Sequence, residues 1–340
     1  MGKHKVAIIC PVYNEEKFID KSLMSIVSQD YPKDSLEILF VDGRSTDKTK
    51  DIIQKYCESN DNIRLLDNPH RTVPYALNIG ICSSESDVVM RIDGHCTYPK
   101  NYVSTLVKYL YELKADNVGA VWNTMPAKNT SLCHAIAIGS SHPFGVGGSM
   151  HKIGTKEIIQ TDTVPFGCYR REVFERIGMF DTDLTRNQDD EYNARLIRNG
   201  GKIYLIPQIV IDYIARNTIA KMRIMYYQYG LFKPLVNKKL GSPATIRQFF
   251  PFLFLLGIIV GGILSCLSYL IMYVYVTVLA AYWIIGTVIG CKYAMNLKKP
   301  KLVLLLPYVF LNIHLSYGYG YLAGIYKILM GKNFNVESNR

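Results

Sequence analysis

From residue 249 to residue 291 the chain runs for 43 residues without a charged side chain. A helix crossing the bilayer core needs about 20 apolar residues, so this run has room for two. Its most polar stretch, 265–269, marks the boundary between them. A third candidate covers 302–326 and contains Pro307, His314 and several glycines. It reads as a span, with a re-entrant or interfacial course for its Gly- and Tyr-rich half as the alternative. Charge divides the chain at the same place. No Asp or Glu occurs from 213 to 336, a segment with thirteen Lys or Arg. Residues 1–212 hold 25 basic and 27 acidic side chains, a net of −2, so the formal excess of +11 comes from the last third. The basic residues flank apolar runs, which suits a membrane surface and not a nucleic acid. Lys292, Lys298, Lys299 and Lys301 follow the second span, which puts that loop in the cytoplasm. Two spans return the chain to the side of its N-terminal domain; a third leaves Lys327 and Lys332 opposite.

The expected organisation is therefore a cytoplasmic catalytic domain over 1–212, a basic amphipathic interfacial segment over 213–248, and a membrane domain of two to three helices over 249–330. The protein should be integral to the cytoplasmic (inner) membrane. Met1-Gly2-Lys3 leads into a five-residue apolar run, too short for a signal-peptide core. Position 6 is Val, which argues against myristoylation. Eight scattered cysteines with no CxxC pair read as reduced thiols.

Within 5–123, short apolar runs at 6–10, 38–41, 63–66, 88–92 and 118–122 alternate with helical periodicity at 15–28, 46–57, 73–81 and 102–113. This order predicts a mostly parallel sheet with helices on both faces. Residues 124–160, rich in Gly, Ser, His and Pro, read as a loop over the site or as a plain irregular insertion. Beyond them, 164–166 and 202–206 read as strands, and 171–177 and 191–198 as helices.

An open α/β sheet places its ligand at strand ends. The run Val88-Val89-Met90-Arg91-Ile92-Asp93-Gly94-His95 reads as a buried strand ending on an acid and an imidazole two residues apart. That pair suits a divalent cation that keeps a diphosphate at its open positions, although a turn carboxylate and a loop histidine would give the same letters. Pro11-Val12-Tyr13-Asn14-Glu15 and Asp42-Gly43-Arg44-Ser45-Thr46-Asp47 are strand-to-helix turns, where free N–H groups can meet an anion. There Asp42 can reach a base edge. Helix capping alone accounts for Ser45 and Asp47. No GxGxxG or GxxxxGK[ST] occurs, so the dinucleotide and P-loop readings lose support. Asp189-Asp190-Glu191 sit at a helix start, where the dipole favours acids and where one acid can be poised as a general base.

Taken together, the PVYNEE and VDGRSTD strand ends, Asn68-Pro69, Ala76-Leu77-Asn78-Ile79-Gly80, the RIDGH tip and Gln188-Asp189-Asp190-Glu191…Arg195 resemble a family 2 glycosyltransferase of the inverting GT-A type. RIDGHCTYP, DTVPFGCYRREVFERIGMFD, RNQDDEYNARL and HLSYGYGYLAG are closest to the ExoA-like exopolysaccharide enzymes. The resemblance implies a GT-A nucleotide-diphospho-sugar transferase domain followed by transmembrane helices. It implies Asp93 and His95 as holders of Mn²⁺ or Mg²⁺ on the nucleotide diphosphate, with His95 standing where the family usually has Asp. It implies Asp189 as catalytic base with Asp190 as runner-up. Pro11, Tyr13, Glu15, Asp42 and Asp93 match the nucleotide-sugar site, with Arg71 as a further diphosphate or uracil partner. Gln188, Gln228 and Lys233 are acceptor- or diphosphate-side candidates. Processive relatives carry Gln-x-x-Arg-Trp; here Gln228 is present but Gly230-Leu231-Phe232 stand where Arg-Trp would fall, which argues against processivity without deciding it.

The reading is an inverting hexosyltransferase that moves sugar from a UDP-sugar to a lipid-diphosphate-linked saccharide in exopolysaccharide or capsule assembly, beside other assembly proteins and without nucleic acid. Its rival within the class is a polyprenyl-phosphate sugar synthase. Its rival outside it is a non-catalytic nucleotide-sugar-binding membrane scaffold.

Overall fold

The structure, a computed structural model, describes residues 4–334. The expectations for Met1–Lys3 lie outside them. The chain forms two compact units, one of residues up to 123 with Gly154–Tyr213, the other of Thr124–Ile153 with the chain from Ile214 on.

The first unit opens with β1 (Val6–Val12), α1 (Ile19–Val27), β2 (Leu36–Asp42), α2 (Thr49–Ser59), β3 (Ile63–Asp67), α3 (Val73–Cys82), β4 (Val88–Arg91), α4 (Tyr102–Glu112) and β5 (Asn117–Met125). Each expected strand and helix of this stretch is present. Apolar runs with no polar face, such as Val6-Ala7-Ile8-Ile9-Cys10, are buried on both sides of a sheet. Parallel register sets Val12 beside Asp42 and Asp42 beside Asp67, so three strand ends finish abreast. Ile9 of β1 pairs with Arg91 of β4.

The next segment departs from its sequence reading. Residues 124–160 are not irregular: they hold α5 (Ser131–Gly139), α6 (Pro143–Val146), α7 (Met150–Ile153) and β6 (Ile159–Gln160). The Thr130 hydroxyl caps α5 by accepting from Cys133 N, and the His142 imidazole caps α6. Residues 164–166 are not a strand. Pro165 offers no N–H and Phe166 takes a left-handed φ of 50°, so the ladder begins later, in β7 (Cys168–Arg170). Then follow α8 (Glu172–Ile177), α9 (Gln188–Arg198) and β8 (Ile203–Ile214). β8 runs eight residues beyond its expected end because Ile209 and Ile211 continue a buried alternation past Pro207. Among the described residues one sheet of eight strands has the order β3-β2-β1-β4-β7-β5-β8-β6. It is mostly parallel on the β3–β4 side, while β7 and β6 run antiparallel to their neighbours.

The second unit is helical: α5 to α7, α10 (Ile219–Leu240), α11 (Phe250–Ser265), α12 (Tyr269–Leu297) and α13 (Leu302–Leu329). Among the described residues three helical stretches are long and apolar enough to cross a membrane: Ile246–Ser265, Tyr269–Leu297 and Leu302–Leu329. The break at 265–269 falls where its polarity indicated. The third stretch is helical throughout, not half re-entrant. Its glycines serve close packing. A Cβ on Gly230 of α10 would strike the carbonyl oxygen of Tyr317, and one on Gly320 of α13 would strike that of Tyr227. Gly286 and Gly290 of α12 lie the same way against Pro307 and Leu302. Small residues allow such backbone approach between apolar helices, where lipid gives no hydrophobic drive for association.

Gly320→Leu and Gly230→Val should each lower the melting temperature of the detergent-solubilised protein, the overpacking costing about 1–3 kcal/mol or more. Gly257→Ala, with open space around it, is the control and should melt near the parent. Equal melting of all three would contradict this packing.

Candidate active site

The first unit's candidate site forms at the ends of β1, β2 and β4 and the start of α9. Two turns are stitched together there. Asn14 N donates to Ser45 Oγ at 2.9 Å, Glu15 N to Thr49 Oγ1 at 2.8 Å and Glu16 N to Asp47 Oδ2 at 3.2 Å. In return Thr46 N donates to Asn14 Oδ1 at 2.8 Å and Lys48 N to Glu16 Oε2 at 3.2 Å. The strand ends therefore do not hold a set of free N–H groups as their sequence suggested. Side chains from the facing turn already use them. Asp42 is buried, and its carboxylate accepts from Ser45 Oγ at 2.5 Å and from Ser45 N at 3.1 Å. Pro11 lies in β1, paired with Val41, and Tyr13 is exposed beyond it. Arg71 is exposed at a left-handed φ of 60°, its Cα packed near Gly43.

His95 links two acids. Its Nδ1 lies 3.1 Å from Glu15 Oε1 and its Nε2 lies 3.6 Å from Asp93 Oδ2, with all three side chains under a fifth exposed. Tyr98 locks the turn between them: its hydroxyl accepts from Asp93 N at 2.8 Å and donates to Asp93 O at 3.2 Å. Among the described residues no three His, Cys, Asp or Glu side chains are arranged to hold a metal ion by themselves. Asp93 Oδ2 and His95 Nε2 are nonetheless an oxygen and a nitrogen donor that face each other at a spacing one cation can bridge. This pair fits a cation that takes its other ligands from a bound phosphate group and water.

Arg91 connects Asp93 to Asp189. It is the last residue of β4, and its backbone N donates to Gly167 O at 3.0 Å. Its guanidinium donates through one NH₂ to Asp189 Oδ2 and through the other to Asp93 Oδ1 at 3.2 Å. Phe166 lies 5.7 Å from the guanidinium carbon, within cation–π range. Burial alone would lower the Arg91 pKa, but Asp189 and Asp93 outweigh it and raise it. Asp189 is raised, by loss of water first, and Arg91 pulls it back only in part. Asp189 and Asp190 occupy the first turn of α9 beside Gln188, which is buried. Asn187, at a left-handed φ of 60°, turns the chain into that helix.

Behind Asp189 a buried amide fixes α9. Asn193 Nδ2 donates to Thr163 Oγ1 at 2.9 Å and to Val164 O at 3.3 Å. Its Oδ1 accepts from Asn117 Nδ2 at 2.9 Å and from the Tyr169 hydroxyl at 3.4 Å. The sequence reading missed both Arg91 and Asn193 as site-building residues. A charge ending an otherwise apolar strand was the available signal for Arg91. Asn193 gave none. Gln228 and Lys233 are on α10 in the second unit, Gln228 buried and Lys233 half-buried.

The glycosyl transferase family 2 model matches residues 7–178. A dolichyl N-acetyl-α-D-glucosaminyl phosphate 3-β-D-2,3-diacetamido-2,3-dideoxy-β-D-glucuronosyltransferase from Methanococcus voltae is 31% identical over 333 residues, 95% of this chain and 97% of the relative. This chain belongs to glycosyl transferase family 2. The enzyme is also 27% identical over 246 residues to the succinoglycan biosynthesis protein ExoA of Rhizobium meliloti, covering 72% of this chain and 73% of the relative. A solved mannosyltransferase from Pyrobaculum calidifontis, in complex with GDP-Man and Mn²⁺, superposes with a TM-score of 0.59 at 21% identity, over 97% of this chain and 88% of that one. Residues 1–349 of S. aureus TarS with UDP-GlcNAc give 0.51 at 16% identity, over 98% and 94%. These two likenesses support the GT-A-like fold of the glycosyltransferase.

Asn193→Ala should leave the amide of Asn117 and the hydroxyl of Thr163 short of a buried partner and destabilise the protein by about 1–3 kcal/mol. Thermal or urea unfolding measures it; an unchanged midpoint would contradict the role given to this amide.

Proposed function

We propose that the enzyme is an inverting glycosyltransferase that moves a hexose from a nucleotide-sugar, a UDP-sugar, to a lipid-linked saccharide at the cytoplasmic face of a membrane, in the assembly of an exopolysaccharide or capsule. The observation that carries the chemistry is the Asp93–Arg91–Asp189 chain, which holds a diphosphate-side acid and a helix-borne acid in one cluster. The acceptor class is supported by the M. voltae relative, which matches over nearly its whole length and is named for a dolichyl-linked substrate. ExoA supports the exopolysaccharide setting. Three apolar helices and a last third without acids before residue 337 support the membrane location.

In this reading Asp189 takes the proton of the acceptor hydroxyl. The hydroxyl oxygen bonds to the anomeric carbon from the face opposite the diphosphate, the carbon–oxygen bond to the diphosphate breaks, and the configuration inverts. Asp93 and His95 would hold Mn²⁺ or Mg²⁺, and a bound cation would offset the charge that develops on the leaving diphosphate. Glu15 accepts from His95 Nδ1 and so turns Nε2 toward Asp93. Pro11, Tyr13, Asp42 and Arg71 border the nucleotide, and Gln188 serves the acceptor side. The apolar helices of 249–330 and the basic interfacial segment of 213–248 suit a lipid-borne acceptor.

Membranes holding the protein, offered radiolabelled UDP- and GDP-sugars, should move label from one UDP-sugar into the lipid fraction. Product on a free lipid phosphate, with no preformed saccharide, would instead mean a polyprenyl-phosphate sugar synthase. Asp189→Asn should cut turnover by roughly 10²–10⁴; full turnover would remove Asp189 from its role.

The pH profile has a definite sign. The base must be ionised, and its pKa is raised by burial. The acid limb of kcat/KM should therefore lie above the ordinary aspartate value of about 3.9, with activity lost as pH falls through it. A limb at or below that value would contradict the assignment.

A further inference from the structure

We infer that Arg91 is the positioning residue of the transfer step: it clamps one oxygen of the Asp189 carboxylate so that the other meets the acceptor hydroxyl. The inference rests on Asp189 being the base. Three observations carry it. Arg91 starts from a fixed point, because its backbone is held in the sheet between Ile9 of β1 and Gly167 O. Its guanidinium is almost wholly buried and spends its two NH₂ groups on different carboxylates, Asp189 Oδ2 and Asp93 Oδ1. Phe166 stands beside it at a left-handed φ of 50°, a conformation costly for a bulky residue, with its carbonyl accepting from the Tyr102 hydroxyl at 3.3 Å.

The chemistry follows from that geometry. A carboxylate on a helix start rotates about a broad, two-fold χ2. A charge-assisted bond to one oxygen stops that rotation and leaves Oδ1 as the proton acceptor. Arg91 also ties the base to Asp93, so donor-side and acceptor-side acids share one rigid cation. Lysine cannot reproduce this, since an ammonium is a point charge without a planar fork. Arg91 needs no contact with substrate to act in this way.

The test uses the full-length enzyme in nanodiscs. Arg91→Met should lower kcat by about 10²-fold, the scale of a misplaced catalytic group. Arg91→Lys should recover part of that loss. The Kd of UDP in the presence of Mn²⁺ should weaken far less than kcat falls, by no more than the loss of one bond to Asp93 implies, and the acceptor KM should stay within about threefold. In an Asp189→Asn background, Arg91→Met should cost almost nothing further, because residues acting as one unit are not additive. UDP affinity falling in step with kcat would make Arg91 a diphosphate contact and overturn the inference, as would additive losses. An experimental structure of Arg91→Met with the Asp189 carboxylate unmoved would overturn it too, whatever the activity. If Arg91→Met does not fold, the same comparisons are made with Arg91→Lys. Full turnover by Asp189→Asn alone would sink the base assignment, while the Arg91→Met structure would still decide whether Arg91 sets the carboxylate.

Discussion

A guanidinium buried between two carboxylates is what lets them stand close together, because without its charge two acids would face each other with little water to screen them. Arg91 is in that position, with Asp93 on one side and Asp189 on the other. The arrangement forces β4, the turn after it and the first turn of α9 to hold a single geometry. Phe166, Trp122 and Tyr98 add an aromatic wall around it, with ring centroids 5.5 and 6.4 Å from Phe166. The same charges that close this cluster are the ones the proposed sugar transfer calls on.

The two turns after β1 and β2 solve a related problem. Strand ends in a parallel sheet leave N–H groups that need acceptors. Ser45, Asp47 and Thr49 satisfy those of the first turn, and Asn14 and Glu16 satisfy those of the second. Turns built in this way are held by their own side chains. In the second unit the helices meet at small residues. Gly230, Gly286, Gly290 and Gly320 let backbones approach where side chains would hold them apart. That accounts for a helix as rich in glycine as α13 remaining unbroken from Leu302 to Leu329.

How far the protein was legible in its sequence depends on the range of the physics involved. Strand and helix identity in the first half rests on local apolar periodicity, and β1 through β5 lie where that periodicity puts them. The membrane-length helices follow from composition alone. The acid-and-histidine strand tip and the acids opening α9 were visible as residue types at telling positions. The errors share one origin. At 164–166 an apolar triplet imitates a strand, yet Pro165 and the left-handed Phe166 cannot join a ladder. At 124–160 a polar, glycine-rich composition hid three short helices, because caps at Thr130 and His142 outweigh propensity.

The sequence by itself determined the class of the sheet, the membrane-length helices, the charge asymmetry and the family, since each is written in local pattern or in motif. Tertiary structure alone decided which side chains meet across 98 residues of chain, as Arg91 and Asp189 do. It also decided that the N–H groups at the strand ends are taken and that glycines pair α10 with α13. Those outcomes depend on burial and on the distance between groups remote in sequence, and no reading of neighbours along the chain contains either.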